Sequence, residues 1–419
     1  MQTQTDLLLS AESRTTQAEH ISRALPKSFR TVWAASAISN IGTQVSALAF
    51  QVCAVSYLNA TGTQMGIVSA CKTAPYLLLP IVVGAIVDRL PRRAILITAD
   101  LVRAALLITL AGFVSSGKLT VAGLCCGIFV LASFDLAFDA ALGGYIPTLV
   151  GGHRLMAANS RLSGTLSGSE LAGPAIAGYL LRVLAAPAAM IADACSFAIS
   201  AVLLSGVRDH RVSGGDSHSV EIRGGILSGF VHVFRQPVLR TLAICSGAWN
   251  LSWSAVLAVL VLYSTRHLHM SSTYVGIILA ATGLGGMAGA FIAARLQHLR
   301  CGKVLVFAPV IAAGGASLIL VSNTQYTFIL LFMAMFLYGT GESLFGVNMQ
   351  TVRQQLTPPF LLARMDTAMR FCFRGMAAIG AFLGGYVADA HGVTATFTCG
   401  IAGLAATCVG LWLSGLADF

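Results

Sequence analysis

Nine ionisable residues stand inside long apolar stretches of the chain: Lys72, Asp100, Arg103, Asp135, Asp139, Glu170, Asp193, Glu342 and Arg374. A charge at bilayer depth costs at least about 2.5 to 3.5 kcal/mol on insertion scales, so each is a candidate for function. Asp100 and Arg103 stand three apart, a spacing at which helical side chains meet and neutralise one another. Asp139 follows Asp135 by one helical turn. A carboxyl that is partly desolvated, or close to a second carboxyl, holds its proton near neutral pH and can exchange it. Two chemistries are therefore open to Asp135, Asp139, Glu170, Asp193 and Glu342: carrying a proton or binding a cation, or closing a static ion pair with Lys72, Arg103 or Arg374. Glu170 can also hydrogen-bond across tight helix packing, and Asp193, near one end of its stretch, can be hydrated.

The elements that hold these residues follow from composition. Of 419 residues, 56% are hydrophobic and only 10% charged, with mean hydropathy +0.80. A soluble domain carries roughly 25% charged residues, so a bilayer must solvate most of this chain, which excludes a soluble enzyme, a disulfide scaffold and a disordered protein. A membrane helix needs about 20 mostly apolar residues. Twelve such stretches are predicted, at 29–58, 63–87, 93–115, 119–146, 156–182, 187–207, 238–264, 273–298, 303–322, 326–350, 362–388 and 392–415. Residues 1–28 form a polar tail without a signal-peptide core, and 208–237 form a polar linker rich in Ser, Gly, Arg and His. Between them lies a six-helix bundle at 29–207, and a second follows at 238–419.

Net charge is +10, yet no basic stripe with interleaved aromatics suggests nucleic acid. The bases instead mark sidedness. With the tail inside, the cytoplasmic turns hold Arg89, Arg92, Arg93, Arg154, Arg295, Arg300, Lys303, Arg353 and Arg364, whereas Lys118, Arg182 and Arg266 fall outside; this positive-inside bias puts both termini in the cytoplasm. The ten cysteines lie in or beside apolar stretches and read as core residues. No phosphate-binding loop of the Gly-x4-Gly-Lys type occurs, so ATP is not the direct energy source. His267 and His269 lack partners for a metal site, and neither a metal nor a cofactor is expected.

The halves match one another. At a spacing of 210, Arg30, Thr31, Ser36, Asn40, Thr63 and Gly66 fall on Arg240, Thr241, Ser246, Asn250, Thr273 and Gly276. At 207, Asp135 falls on Glu342, Phe138 on Phe345, Asn159 on Asp366, and Gly168, Gly173, Gly178 and Tyr179 on Gly375, Gly380, Gly385 and Tyr386. Two parallel six-span repeats place a substrate site between them near the membrane midplane. The fold class expected is an all-α membrane protein of twelve transmembrane helices in two pseudo-symmetric repeats.

The turn after the second stretch reads Gly84-Ala-Ile-Val-Asp88-Arg89-Leu-Pro91-Arg92-Arg93. It resembles the signature loop of the major facilitator superfamily, with Pro91 in place of a glycine. The resemblance implies that Asp88 faces the start of span 11 and latches the halves on the cytoplasmic side, where an anion at a helix N-terminus gains about 0.3 to 1 kcal/mol; Gly84 would permit close helix approach. Gly173-Pro174-Ala-Ile-Ala177-Gly178 is similar to the Gly-Pro packing element of exporters in that superfamily, and plain tight packing of small residues is the alternative. Gln354-Gln355-Leu356-Thr357-Pro358 and Arg364-Met365-Asp366 resemble the branch of macrolide and enterobactin exporters.

In that superfamily spans 1, 4, 7 and 10 line the cavity. The resemblance therefore implies that Asp135 and Glu342 face each other there, with Asn40, Gln44, Asn250 and Trp253 inward and Phe138 and Phe345 as aromatic walls. A mostly apolar pocket with a few polar groups suits a bulky amphiphile; helix-to-helix hydrogen bonding is the other use for the asparagines. The function expected is proton-coupled export, by alternating access, of a drug, macrolide or siderophore by a monomeric antiporter of the bacterial inner membrane. An importer or lipid flippase on the same fold, or a membrane receptor that has lost transport, are the alternatives.

Overall fold

A computed structural model describes residues 25–150, 154–207, 227–296, 301–322, 326–358, 361–414 and 416. The first 24 residues and 208–226, which hold nearly all of the predicted tail and most of the linker, lie outside the described residues, as does Arg300; of Arg364 and Asp366 only the backbone is described.

The chain is helical throughout these residues. The first half contains α1 (Lys27–Ser56), α2 (Gly62–Leu78), α3 (Pro80–Arg89), α4 (Arg92–Ser115), α5 (Val121–Val150), α6 (Leu155–Val183) and α7 (Ala186–Ser205). After α8 (Leu227–Arg235) the second half contains α9 (Pro237–Leu262), α10 (Ser272–Arg295), α11 (Cys301–Ser317), α12 (Thr327–Leu356), α13 (Leu362–His391) and α14 (Val393–Leu413). Each of the twelve predicted stretches is helical. By length and apolarity ten helices among the described residues can cross a membrane, eleven if α2 and α3, bent 60° apart, form one broken span. Pro80 opens α3 at its first position, where a missing N–H costs nothing. Helix α6 is not among the ten; its Asn, Ser, Arg and Glu residues lower its hydropathy.

One expectation changes at the linker. Its end is not an irregular connection but α8, whose Val233 is fully buried and whose Phe230 meets Phe371 edge to face at 5.5 Å.

Packing repeats with the sequence. In the first half α1 packs on α6 and α7, α4 on α5 and α7, and α2 on α5; in the second, α9 packs on α13 and α14, α11 on α12 and α14, and α10 on α12. Between halves the principal contacts are α2 with α13 and α6 with α10, which exchange under the repeat. Glycines make both seams possible. A Cβ on Gly178 would lie 2.9 Å from Gly276 Cα, and one on Gly385 would lie 2.9 Å from Gly66 Cα. At such crossings any side chain would force the backbones apart. These four glycines are two repeat-matched pairs, Gly66 with Gly276 and Gly178 with Gly385.

Candidate functional site

The first half carries a buried ionic cluster. Arg103 on α4 bonds Asp100 on its own helix and reaches Asp135 on α5 at 2.7 Å. Its guanidinium lies between two rings, 4.5 Å from the Phe138 centroid and 4.3 Å from that of Phe197. Removing such a charge from water is costly unless carboxylates and ring faces replace its hydration. Asp193 on α7, only 2% exposed, accepts from Ser196 Oγ at 2.9 Å. A small cavity of about 50 Å³ opens beside this cluster; Gln51, Ser69, Lys72, Asp135 and Asp193 are among its lining residues, over an otherwise largely apolar wall.

A second polar group lies between the halves. Tyr76 on α2 donates to Asp139 at 3.4 Å, and Arg374 on α13 lies 4.6 Å above the Tyr76 ring. Glu170 on α6 is within electrostatic reach of Arg374, Lys72 and Glu342. Lys72, Asp139, Glu170, Glu342 and Arg374 are all solvent-exposed by surface area. The helices thus bring together acids and bases that are up to 302 positions apart in the sequence, Lys72 and Arg374 being the extremes.

Asp135 and Glu342 occupy matched positions but differ in surroundings. Asp135 is ion-paired; Glu342 has no hydrogen bond or ion pair among the described residues. One turn before Glu342, Tyr338 accepts from Trp249 Nε1 at 2.9 Å and stacks on Trp253, with 3.4 Å between ring centroids. Trp249 in turn stacks on Phe345 at 5.2 Å.

Several expected wall residues are placed elsewhere. Phe138, Trp253 and Phe345 are 5%, 8% and 4% exposed. They are packed inside their own halves and not on the cavity wall: Trp253 and Phe345 stack on Tyr338 and Trp249, and Phe138 covers the Arg103 guanidinium. Asn250 donates to Ser246 O of its own helix at 3.1 Å, while Asn40 is half-buried. Gln44 packs on Gly173, so Gly173 serves contact within the first half. In the same element Gly178 and the Pro174 carbonyl meet Gly276 across the seam.

The signature turn also differs in part from expectation. Arg93 caps the C-terminus of α7, donating to Leu204 O at 3.1 Å and to Ser205 O, and Arg92 donates to Gly144 O. A cation there suits both the unpaired carbonyls and the negative helix end. A Cβ on Gly84 would meet nothing, so no close approach depends on that glycine in this conformation. Asp88 and Arg89 are exposed, and Asp88 has no ion pair among the described residues.

The opposite end is fastened instead. Asp389 on α13 accepts from the Gly62 and Thr63 N–H groups at 2.6 and 2.7 Å, across the two halves at the N-terminus of α2. Arg266 donates to Val55 O at 3.1 Å and Thr273 to Gly178 O at 3.3 Å. Sequence reading missed Asp389. The only signal was an acid near the end of an apolar stretch, whose partner lies 327 positions away.

Residues 23–418 match the family described as transmembrane secretion effector, within the major facilitator superfamily. The chain belongs to that family. It is a multi-pass membrane transporter and not an enzyme. Its relatives include the multidrug efflux pump Tap of Mycolicibacterium fortuitum, 27% identical over 374 residues that cover 87% of this chain and 90% of that one. Tap of Mycobacterium tuberculosis is 26% identical over 388 residues, 88% of each chain. Among solved structures, a bacterial homologue of the iron transporter ferroportin in its inward-facing state superposes with a TM-score of 0.75 at 13% identity, covering 93% of this transporter and 99% of that one. At that identity the likeness extends to the fold alone.

Proposed function

We propose that this transporter exports amphipathic small molecules, of drug, macrolide or siderophore type, in exchange for protons by alternating access. The observation that carries the reading is the imbalance of charge at the centre of the molecule: Asp100, Asp135, Asp139, Glu170, Asp193 and Glu342 against Lys72, Arg103 and Arg374. An excess of carboxyls at bilayer depth needs protons or a cationic group to balance it. Glu342, without a basic partner, is the preferred carrier, and Asp193 follows. Asp135, held by Arg103, serves more as the fixed charge that orients the site.

Positive-inside placement puts the arginine-rich end in the cytoplasm, so the seams seal the outer face and the cleft takes cargo from inside. The likeness to multidrug efflux pumps favours export. Residues 1–28 and 208–237 are the cytoplasmic tail and linker, and a single chain, without a second copy, forms the pathway. The test is uptake of a fluorescent amphiphile into inside-out proteoliposomes under an imposed proton gradient. Glu342→Gln keeps the shape and removes the titratable group; gradient-driven uptake falls at least about 100-fold, as expected of a removed proton-transfer group, while equilibrium binding persists. Normal gradient-driven uptake by that variant rejects Glu342 as the carrier, and failure to find any gradient dependence in the unmodified protein rejects proton coupling.

A further inference from the structure

The second half contains a cavity of the opposite charge to the first. It measures about 310 Å³ and is lined by Ser246 of α9, Met349, Gln350 and Arg353 of α12, and Met369, Arg370, Phe373 and Arg374 of α13. No carboxylate is among these lining residues. Arg370 and Arg374 are four apart, a spacing at which like charges on one helix face repel by a few tenths of a kcal/mol, and Arg353 approaches from the facing helix. Arg353 is 7% exposed, and its Nε–H is directed at Met365 Sδ, 3.5 Å away. Arg370 and Arg374 are exposed.

Plain sidedness accounts for arginines at the rim of a bundle. It does not account for three converging on one cavity between helices, one of them nearly buried. Guanidinium is the group suited to such a place, since its planar fork binds a carboxylate or phosphate through paired hydrogen bonds. The apolar part of the same lining, Met349, Met369 and Phe373, would accept a flexible or aromatic body, methionine being adaptable in shape. From the other half, Glu170 and Asp139 lie within electrostatic reach of Arg374, which also covers Tyr76. Arg374 therefore stands at the boundary between the acidic and the basic region.

We infer that the cavity framed by Arg353, Arg370 and Arg374 is an anion subsite, and that the cargo is an amphiphile carrying a carboxylate, sulfonate or phosphate group. The substrate class rests on the export reading above; the anion subsite itself is tested by equilibrium binding, without transport. A free amphiphile and the phosphate of a membrane lipid share this chemistry.

The probe is 1-anilinonaphthalene-8-sulfonate, whose uncharged counterpart N-phenyl-1-naphthylamine keeps the same rings without the sulfonate. Fluorescence titration uses the full chain in nanodiscs of phosphatidylcholine, with empty nanodiscs subtracted. Arg370→Gln or Arg374→Gln raises the Kd of the sulfonate probe about tenfold or more, the worth of a charge-assisted hydrogen bond, and leaves the uncharged probe unchanged. Arg370→Lys, which keeps the charge but not the fork, falls between. Repeating the titration with phosphatidylglycerol in the disc separates the two sources: a difference between wild type and variant that persists marks a site for free amphiphiles, and one that vanishes marks a lipid phosphate already seated there. Equal weakening of both probes, or none of either, overturns the proposal. Uncharged-probe binding also shows whether a glutamine variant is folded; should one fail to fold, the lysine variant carries the test. A protein that binds the anion yet transports without a proton gradient would keep this inference and lose only the coupling.

Discussion

The two halves share one helix order and one pattern of packing, yet they use the matched mid-span acids differently. In the first half Asp135 belongs to an ionic cluster with Arg103 and Asp100, enclosed by Phe138 and Phe197. In the second, Glu342 stands on a stack of Tyr338, Trp249, Trp253 and Phe345, without an ion pair among the described residues. Backbone geometry survived duplication; side-chain chemistry divided. One half now stores charge in a fixed arrangement, and the other offers a stiff aromatic support from which a single acid extends.

That contrast is broken most severely at Arg103. Arg103→Ala leaves Asp100 and Asp135 without their buried partner, at a cost of about 3 to 5 kcal/mol, read as a lower melting temperature of the purified protein. Glu342→Gln, by contrast, moves the melting temperature by no more than about 0.5 kcal/mol would. Equal melting of Arg103→Ala and wild type would remove the structural role given to the first cluster.

The seams provide the next largest effect. Gly178→Leu overpacks a crossing between halves and costs about 1 to 3 kcal/mol, seen as slowed exchange between inward- and outward-open populations by spin-label distances. Gly173→Leu presses on the flexible side chain of Gln44 within one half, so it affects stability more than exchange. If the two variants behave alike, the division of this element between internal and cross-half contacts fails.

The two ends of the molecule give the smaller contrasts. Asp389→Asn keeps an acceptor for Gly62 N–H but loses the charge-assisted bonds, weakening the contact between α2 and α13 by about 1 kcal/mol because solvent screens an exposed carboxylate. Spin labels on α2 and α13 should report a larger fraction with these ends apart. Asp88→Asn leaves melting within about 0.5 kcal/mol of wild type, while transport falls, as expected of a turn that latches the halves in another state. An Asp88→Asn variant with full transport would reduce the signature turn to a topology signal.

Much of this architecture was legible in the amino acids. Spans follow from apolar length, and the repeat from matched Arg, Asn and acidic positions, since two copies of one bundle must reuse the same contacts. The Asp100 and Arg103 pair was readable because it is local to one helix. The rest depends on tertiary approach. Nothing in the vicinity of Asp389 announces the α2 terminus, and nothing in the spacing of Trp253 and Phe345 says that their rings turn inward to stack on Tyr338 and Trp249. An amphipathic pattern tells which face is apolar; inside a membrane bundle both faces are, so periodicity cannot separate a cavity wall from a core. The same ambiguity assigned Gly84 a close contact that the conformation does not contain.

The glycine crossings carry a further consequence. Where Gly178 meets Gly276 and Gly66 meets Gly385, the surfaces in contact are main chain against main chain. Their fit is independent of which side chains line the cleft. Substitutions that reshape the cleft therefore leave these crossings intact, while the crossings themselves leave no room for a side chain. A transporter built on such crossings can change what its walls accept while the fit between its halves stays the same.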